Sequence, residues 1–237
     1  LGVHGDAVTR VLVQQNPSKR LLGVLKYAES CGIKVEKVSR QELDTRTRGV
    51  HHQGVLCEAP HLVMTPLATL AADAHAAIVA LDGVTDTQNF GAAIRSAVAL
   101  GSGAVMFGEH HAAPLTPATF RASAGAIEHA ALCQVRSLRD ALGTLHEAGV
   151  TTIALAAGAE KPLSALDLLG PVVVVIGSEN KGVGRGVRAA CSAVARLEMR
   201  GKLDSLNASV AAAVALYEVA RQRSQAIEAA APPRDEC

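Results

Sequence analysis

Asn89, Arg95, Glu179, Ser205 and Asn207 are the side chains here whose types and surroundings suit work on a bound ligand. The first two lie in Leu81-Asp-Gly-Val-Thr-Asp-Thr-Gln-Asn-Phe-Gly-Ala-Ala-Ile-Arg-Ser-Ala97, where an apolar run opens into two acids, an Asn, a Gly and a helical stretch with one Arg. Strands of α/β proteins present ligands at their carboxyl ends. Amide, carboxylate and guanidinium groups supply donors, acceptors and a fixed charge there. Ile176-Gly-Ser-Glu-Asn-Lys-Gly182 and Leu203-Asp-Ser-Leu-Asn-Ala-Ser209 repeat the strand-then-polar-loop design. Three such loops predict one composite site.

Two common nucleotide motifs fail. Gly177 to Gly182 has the outer spacing of a P-loop, yet Val183-Gly184 stands where Lys-Ser/Thr must hold phosphate and Mg²⁺. The dinucleotide fingerprint also fails, because Val187 occupies the third glycine position after Gly182 and Gly184. A Walker-type ATPase and an ordinary nicotinamide dehydrogenase are thereby disfavoured.

The elements that must position these loops follow from periodicity. Strands are predicted at 76–81, 104–107, 130–135, 152–156, 172–176 and 195–197. Helical patterns fall at 91–100, 117–124, 138–149, 183–191 and 205–225. Short apolar runs alternating with helices predict an α/β fold with a parallel sheet covered on both faces. Residues 1–58 read as a separate small α/β domain, 59–75 as a linker, 76–226 as the catalytic domain and 227–237 as a disordered tail. The chain begins with Leu, which reads as a sequence lacking its first residues.

The 237 residues are 49 % apolar and 19 % charged, a globular composition. Aromatics are only 2 %, too few for an RNA-recognition sheet that stacks bases on Phe and Tyr. Net charge is +1, but residues 1–60 hold nine Lys/Arg against six Asp/Glu, a net +3. That asymmetry fits a solvated face as well as it fits RNA. Five scattered Cys show no zinc spacing and fit reduced thiols in the cytoplasm, and no apolar run reaches membrane-spanning length. The His51-His52 and His110-His111 pairs lack ligand spacing, so no metal is expected, although His51 or His52 suits a phosphate contact.

The three loops resemble the three motifs of SpoU-type RNA 2′-O-ribose methyltransferases of the SPOUT superfamily. The matching segments are Asp82 to Asp86 with Asn89-x-Gly91-Ala and Arg95-Ser-Ala97, then Gly177-Ser-Glu179-x-x-Gly182, then Ser205-Leu-Asn207-x-Ser209. Val50-His-His-Gln-Gly-Val55 is similar to the segment closing the family's N-terminal RNA-binding domain. Nearly all of 3–224 is covered, with most likeness to the bacterial 23S rRNA guanosine-2′-O-methyltransferases.

The resemblance implies an L30e-like N-terminal domain, a catalytic domain ending in a trefoil knot, a homodimer, RNA as substrate and S-adenosylmethionine as cofactor. It makes Arg95 the general base or the group that orients the hydroxyl, with Asn89, Glu179, Ser205 and Asn207 as the polar wall. Main chain at Gly177, Leu197 and Leu206 would bind the cofactor. Transfer to a guanosine of rRNA is the leading expectation. Transfer to tRNA, or a catalytically silent RNA-binding assembly factor, are the alternatives. Glu198, Leu203-Asp204 and Lys181 depart from the usual pattern without removing a motif residue. Bland readings stand beside these roles: Asp82 and Asp86 as turn formers, Asn89 as a helix cap, Glu179 as an acid at a helix start, Ser205 and Asn207 as a cap pair.

Overall fold

The computed structural model describes residues 8–230. Contacts divide the chain into one unit ending at Val63 and another beginning at Met64. The expected linker at 59–75 is therefore not a bare connector, because 67–71 already forms a helical turn of the second unit.

The first unit runs β1 (Arg10–Gln14), α1 (Lys19–Ser30), β2 (Lys34–Val38), α2 (Arg40–Arg46) and β3 (Val55–Glu58). Its sheet has the order β2-β1-β3, with β2 parallel and β3 antiparallel to β1. Strand alternation splits the core. Val11 and Val13 face Leu25, Ala28 and Ile33, while Leu12 faces Val38 and Leu43 on the other side. The chain leaves α1 through Gly32, whose φ of +71° is the left-handed conformation that ends helices. Ser39 caps α2 by accepting from the Glu42 N–H at 3.1 Å.

The second unit runs α3 (Leu67–Ala71), β4 (Ala77–Asp82), α4 (Thr87–Ala99), β5 (Gly103–Gly108), α5 (Pro117–Ala122), a 3₁₀ turn (Ala126–His129) and β6 (Ala131–Val135). It continues with α6 (Leu138–Glu147), β7 (Thr151–Leu155), β8 (Lys161–Pro162), β9 (Val172–Gly177), α7 (Arg185–Ala189), β10 (Ala193–Arg196) and α8 (Ala208–Ala230). Seven strands form one parallel sheet in the order β6-β5-β4-β9-β7-β10-β8. Late strands thus enter between early ones: β9 lies between β4 and β7, and β10 between β7 and β8.

The central strands are buried on both faces, which is why they read as unbroken apolar runs. Ile78, Ala80, Met106, Val173 and Val175 pack with Leu142 and Leu145 of α6. The alternate residues are equally dry, and Phe107 meets Phe90 of α4 edge-on at 5.1 Å. Such a pair adds roughly 0.5–1.5 kcal/mol beyond area burial. Helix α8 continues to Ala230, so the tail predicted from 227 is helical at its start, and 231–237 lie outside the described residues.

Candidate active site

Parallel strands end on one edge of a sheet, so β4, β9, β7 and β10 all present their carboxyl ends on the same side. Asp82 closes β4 directly opposite Gly177, which closes β9. The Asp82 carboxylate accepts from the Gly184 N–H at 2.7 Å and ties the first polar loop to the second. Asp82 is thus a structural anchor. Asp86 caps α4, accepting from the Asn89 N–H at 2.8 Å. Helix α4 consequently starts at Thr87 and not at Gly91, and Asn89 is a first-turn residue whose side chain is free for other work.

That side chain meets the other two loops. The Asn89 Nδ2 donates to Glu179 Oε1 at 3.1 Å, and the Asn207 Nδ2 donates to Asn89 Oδ1 at 2.8 Å. The Asn207 Nδ2 also donates to Glu179 Oε1, so three residues spread over 118 positions close one ring. Asn207 is a helix cap as well: its Oδ1 accepts from the Ser209 N–H at 2.9 Å and from the Ser209 hydroxyl at 2.6 Å. Glu179 is exposed, and its Oε2 takes no hydrogen bond from the described residues. Glu179 sits in a turn bridged by Ser178 and Gly182, with the Gly182 N–H donating to the Ser178 carbonyl at 2.8 Å. It is not at a helix start.

Arg95 stands outside this ring. Six residues beyond Asn89 on the same helix, it is displaced about 9 Å along the axis and rotated about 240°. It is exposed, makes no hydrogen bond or ion pair among the described residues, and lines an open groove with Ala99, Ser123, Gly125 and His129. Gly91 fixes the wall of that groove, since a Cβ there would lie 2.5 Å from the Ala122 Cβ and 2.8 Å from the Thr119 carbonyl oxygen. Ser205 is exposed in the loop before α8 and has no hydrogen-bond partner among the described residues.

Of the expected cofactor positions, Gly177 ends β9 and Leu197 follows β10, with β7 between the two strands. Gly177 has no room for a side chain: a Cβ would sit 1.9 Å from the Gly182 carbonyl carbon. Its need for glycine is therefore met first by the chain's own second loop. Leu197 follows β10, and Leu206 lies in the loop before α8 with 37 % of its surface exposed. Neither has a main-chain hydrogen bond to backbone among the described residues, which leaves their N–H and C=O groups open to a ligand. Arg196 ties the turn after β7 to β10 by donating to the carbonyls of Ala159, at 3.0 Å, and of Glu160. Beside the site, burial and then the Asp82 charge push the Cys191 thiol up to about 11. Sequence reasoning missed Arg223, whose guanidinium donates to four carbonyls, those of His75, Ala76, Leu168 and Gly170. Nothing in its local sequence marks it.

Residues 76–217 match the SpoU rRNA methylase family model, and residues 3–62 match the model for RNA 2′-O ribose methyltransferase substrate binding. The chain belongs to the SpoU rRNA methylase family. An uncharacterized tRNA/rRNA methyltransferase of Mycolicibacterium smegmatis is 38 % identical over 218 residues, which are 90 % of this chain and 69 % of that one. Among solved structures, the SpoU methyltransferase AviRb from Streptomyces viridochromogenes, in complex with AdoMet, superposes with a TM-score of 0.76 at 24 % identity. It covers 92 % of this chain and 84 % of its own. An AdoMet-bound rRNA methyltransferase from Sinorhizobium meliloti gives 0.77 at 24 % identity, over 94 % and 85 %. This SpoU-family chain is therefore an RNA methyltransferase by membership, with a substrate-binding unit ahead of the catalytic one. Among the described residues no helix is long and apolar enough to cross a membrane, and no group of three or more His, Cys, Asp or Glu is arranged to hold a metal.

Proposed function

We propose that the protein transfers a methyl group from S-adenosylmethionine to a ribose 2′-hydroxyl in RNA, with a guanosine of 23S rRNA as the target. The observation that carries this reading is the ring of Asn89, Glu179 and Asn207, which draws residues of three separate polar loops together. The sulfonium of the cofactor supplies an electrophilic methyl group. The chain's own task is then to hold the hydroxyl in line and accept or screen its proton.

Glu179 Oε2 is the acceptor for a ribose hydroxyl or for an incoming guanidinium, held in place because Oε1 is already engaged by two amides. Arg95 neutralises the phosphate next to the target and orients the 2′-oxygen through its guanidinium donors. Ser205, unpartnered in the loop, completes the polar wall. Alignment supplies most of the acceleration of a one-step displacement, since fixing two reactants in register is worth about 7–11 kcal/mol.

Arg95 lies about 240° round α4 from Asn89, the residue that bonds Glu179, and we read the complete site as one formed with a second copy of the chain. Exposed Val210, Val214 and Tyr217 form a stripe on α8 directly after Asn207. We propose that this stripe is a homodimer face and that the partner's α4 approaches the ring across it. The late entry of β9 and β10 into the sheet supports the trefoil-knot reading of 172–207. The two-unit layout with its His52-Gln53-Gly54 segment favours rRNA over tRNA.

The test is Arg95→Ala, assayed with tritiated S-adenosylmethionine and unmodified rRNA. Methyl transfer should fall at least about 10³-fold, with cofactor binding and thermal midpoint retained, because Arg95 supports nothing in the fold. Turnover like that of the wild type would remove Arg95 from the mechanism.

A further inference from the structure

The outward face of α1 gathers exposed cations beside a glycine and a half-exposed tyrosine. Helix α1 turns Leu25 and Ala28, with Leu21, toward its sheet. At about 100° per residue, the opposite sector holds Lys19, Arg20, Gly23, Lys26, Tyr27 and Ser30, all exposed. Among the described residues, Lys19, Arg20 and Lys26 form no ion pair. The other cations of the unit are either engaged or scattered: Lys37, Arg40 and Arg48 also form no ion pair among the described residues, but they lie on β2, on α2 and in the turn after it. Arg46 meets Glu42 and Glu58, Arg10 meets Glu58 and Glu36, and His52 bonds Asp44.

Gly23 is the decisive member. Glycine inside a helix is destabilising relative to alanine, and at Gly23 it opens the helix backbone to close approach from outside. A Cβ at Gly23 would meet nothing within 4 Å. Its small size serves no contact inside the chain. The result is a flat spot on the helix, flanked by three unneutralised cations and a tyrosine ring that is 47 % exposed.

We propose that this face of α1 is the surface of the first unit that grips RNA. Lys19, Arg20 and Lys26 take phosphates, Tyr27 stacks on an unpaired base, and Gly23 lets the strand lie against the helix backbone. Cations interleaved with an aromatic ring suit single-stranded or looped RNA, where bases are free to stack. The inference rests on the RNA reading above and adds where the nucleic acid is held.

The experiment measures binding of a fluorescein-labelled rRNA hairpin to the full chain by anisotropy, without cofactor, between 50 and 200 mM salt. Lys26→Glu should weaken binding about tenfold and flatten the salt dependence by about one phosphate or more. Tyr27→Ala should weaken binding about tenfold and leave the salt slope unchanged. Gly23→Ala should raise the thermal midpoint and still weaken binding. Arg40→Glu, in α2 on the other layer, should bind as the wild type does. Equal losses from Lys26→Glu and Arg40→Glu, or full binding by both Gly23→Ala and Tyr27→Ala, overturn the assignment. So does a surface that binds polyglutamate as tightly as RNA, which would mark a protein-docking face. If no RNA is methylated yet the α1 variants lose binding, the surface stands and the catalytic reading falls. If methylation proceeds and the α1 variants bind normally, the surface alone is overturned.

Discussion

Asn207 does two jobs with one amide, and they can be separated by measurement. Its oxygen caps α8 and its nitrogen closes the ring with Asn89 and Glu179. Asn207→Ala should cost about 1 kcal/mol in urea unfolding, the usual value of a cap. Methyl transfer should fall about 100-fold or more in the same variant. Capping and site membership were competing explanations of Asn207 in the sequence, and a single Asn can satisfy both because it carries a donor and an acceptor. Asn89 was legible as a member of the polar cluster, but its helix was placed four residues late, since Asp86 was not recognised as the cap. Arg95 was legible only as a type; its direction depends on helix phase, which the late start obscured. Cys191 gives a pH prediction. Its thiol is raised in the folded protein from an ordinary value near 9.0 to about 11. The unfolded chain therefore loses this proton first, and stability falls as pH rises through 9 toward 11. Cys191→Ala should flatten that alkaline decline in thermal melts, and an unchanged decline would assign it elsewhere.

At the scale of elements, α8 buries Ala208, Ala212, Ala215, Leu216 and Val219, and Arg223 adds a polar clamp near its other end. Four carbonyls at the start of β4 and before β9 accept from Arg223, and Gln222 adds bonds to Leu166 and Leu168. Hydrogen bonds to a charged group contribute about 1.5–3 kcal/mol where they are shielded, as at Ala76 and Leu168, and less at exposed His75 and Gly170. Arg223→Ala should lower stability by about 3 kcal/mol, and Arg223→Lys should not restore it, because an ammonium cannot fork to four acceptors. A Lys variant as stable as the wild type would contradict this. Gly177→Ala should disrupt the turn at 178–182, at a cost of about 2 kcal/mol or more, and abolish cofactor binding in equilibrium dialysis. Six strands of the large sheet were readable because burial on both faces leaves unbroken apolar runs such as Val172–Ile176. Strand β8 was not, since its two residues, Lys161 and Pro162, pair only with the end of β10 and carry no periodicity.

For the whole molecule, the order of strands was the part the sequence left unwritten. Apolar runs mark strands but not neighbours, so nothing in Val172–Gly177 announces that it lies between β4 and β7. That insertion is what sets Gly177 opposite Asp82 and gathers the polar loops. Assembly is the next level. If α8 forms a homodimer through Val210, Val214 and Tyr217, then Val214→Asp with Tyr217→Asp should give a monomer by sedimentation. That monomer should lose transfer while each unit stays folded. The most direct measurement is the position of the methyl group itself. The protein is incubated with tritiated S-adenosylmethionine and, separately, with unmodified rRNA and tRNA, and the product is mapped for alkali-resistant linkages. The expected result is label on a single ribose 2′-oxygen of the large-subunit rRNA, at a guanosine, abolished by Arg95→Ala. Label on a base, or none in either RNA from folded protein that binds the cofactor, would contradict it.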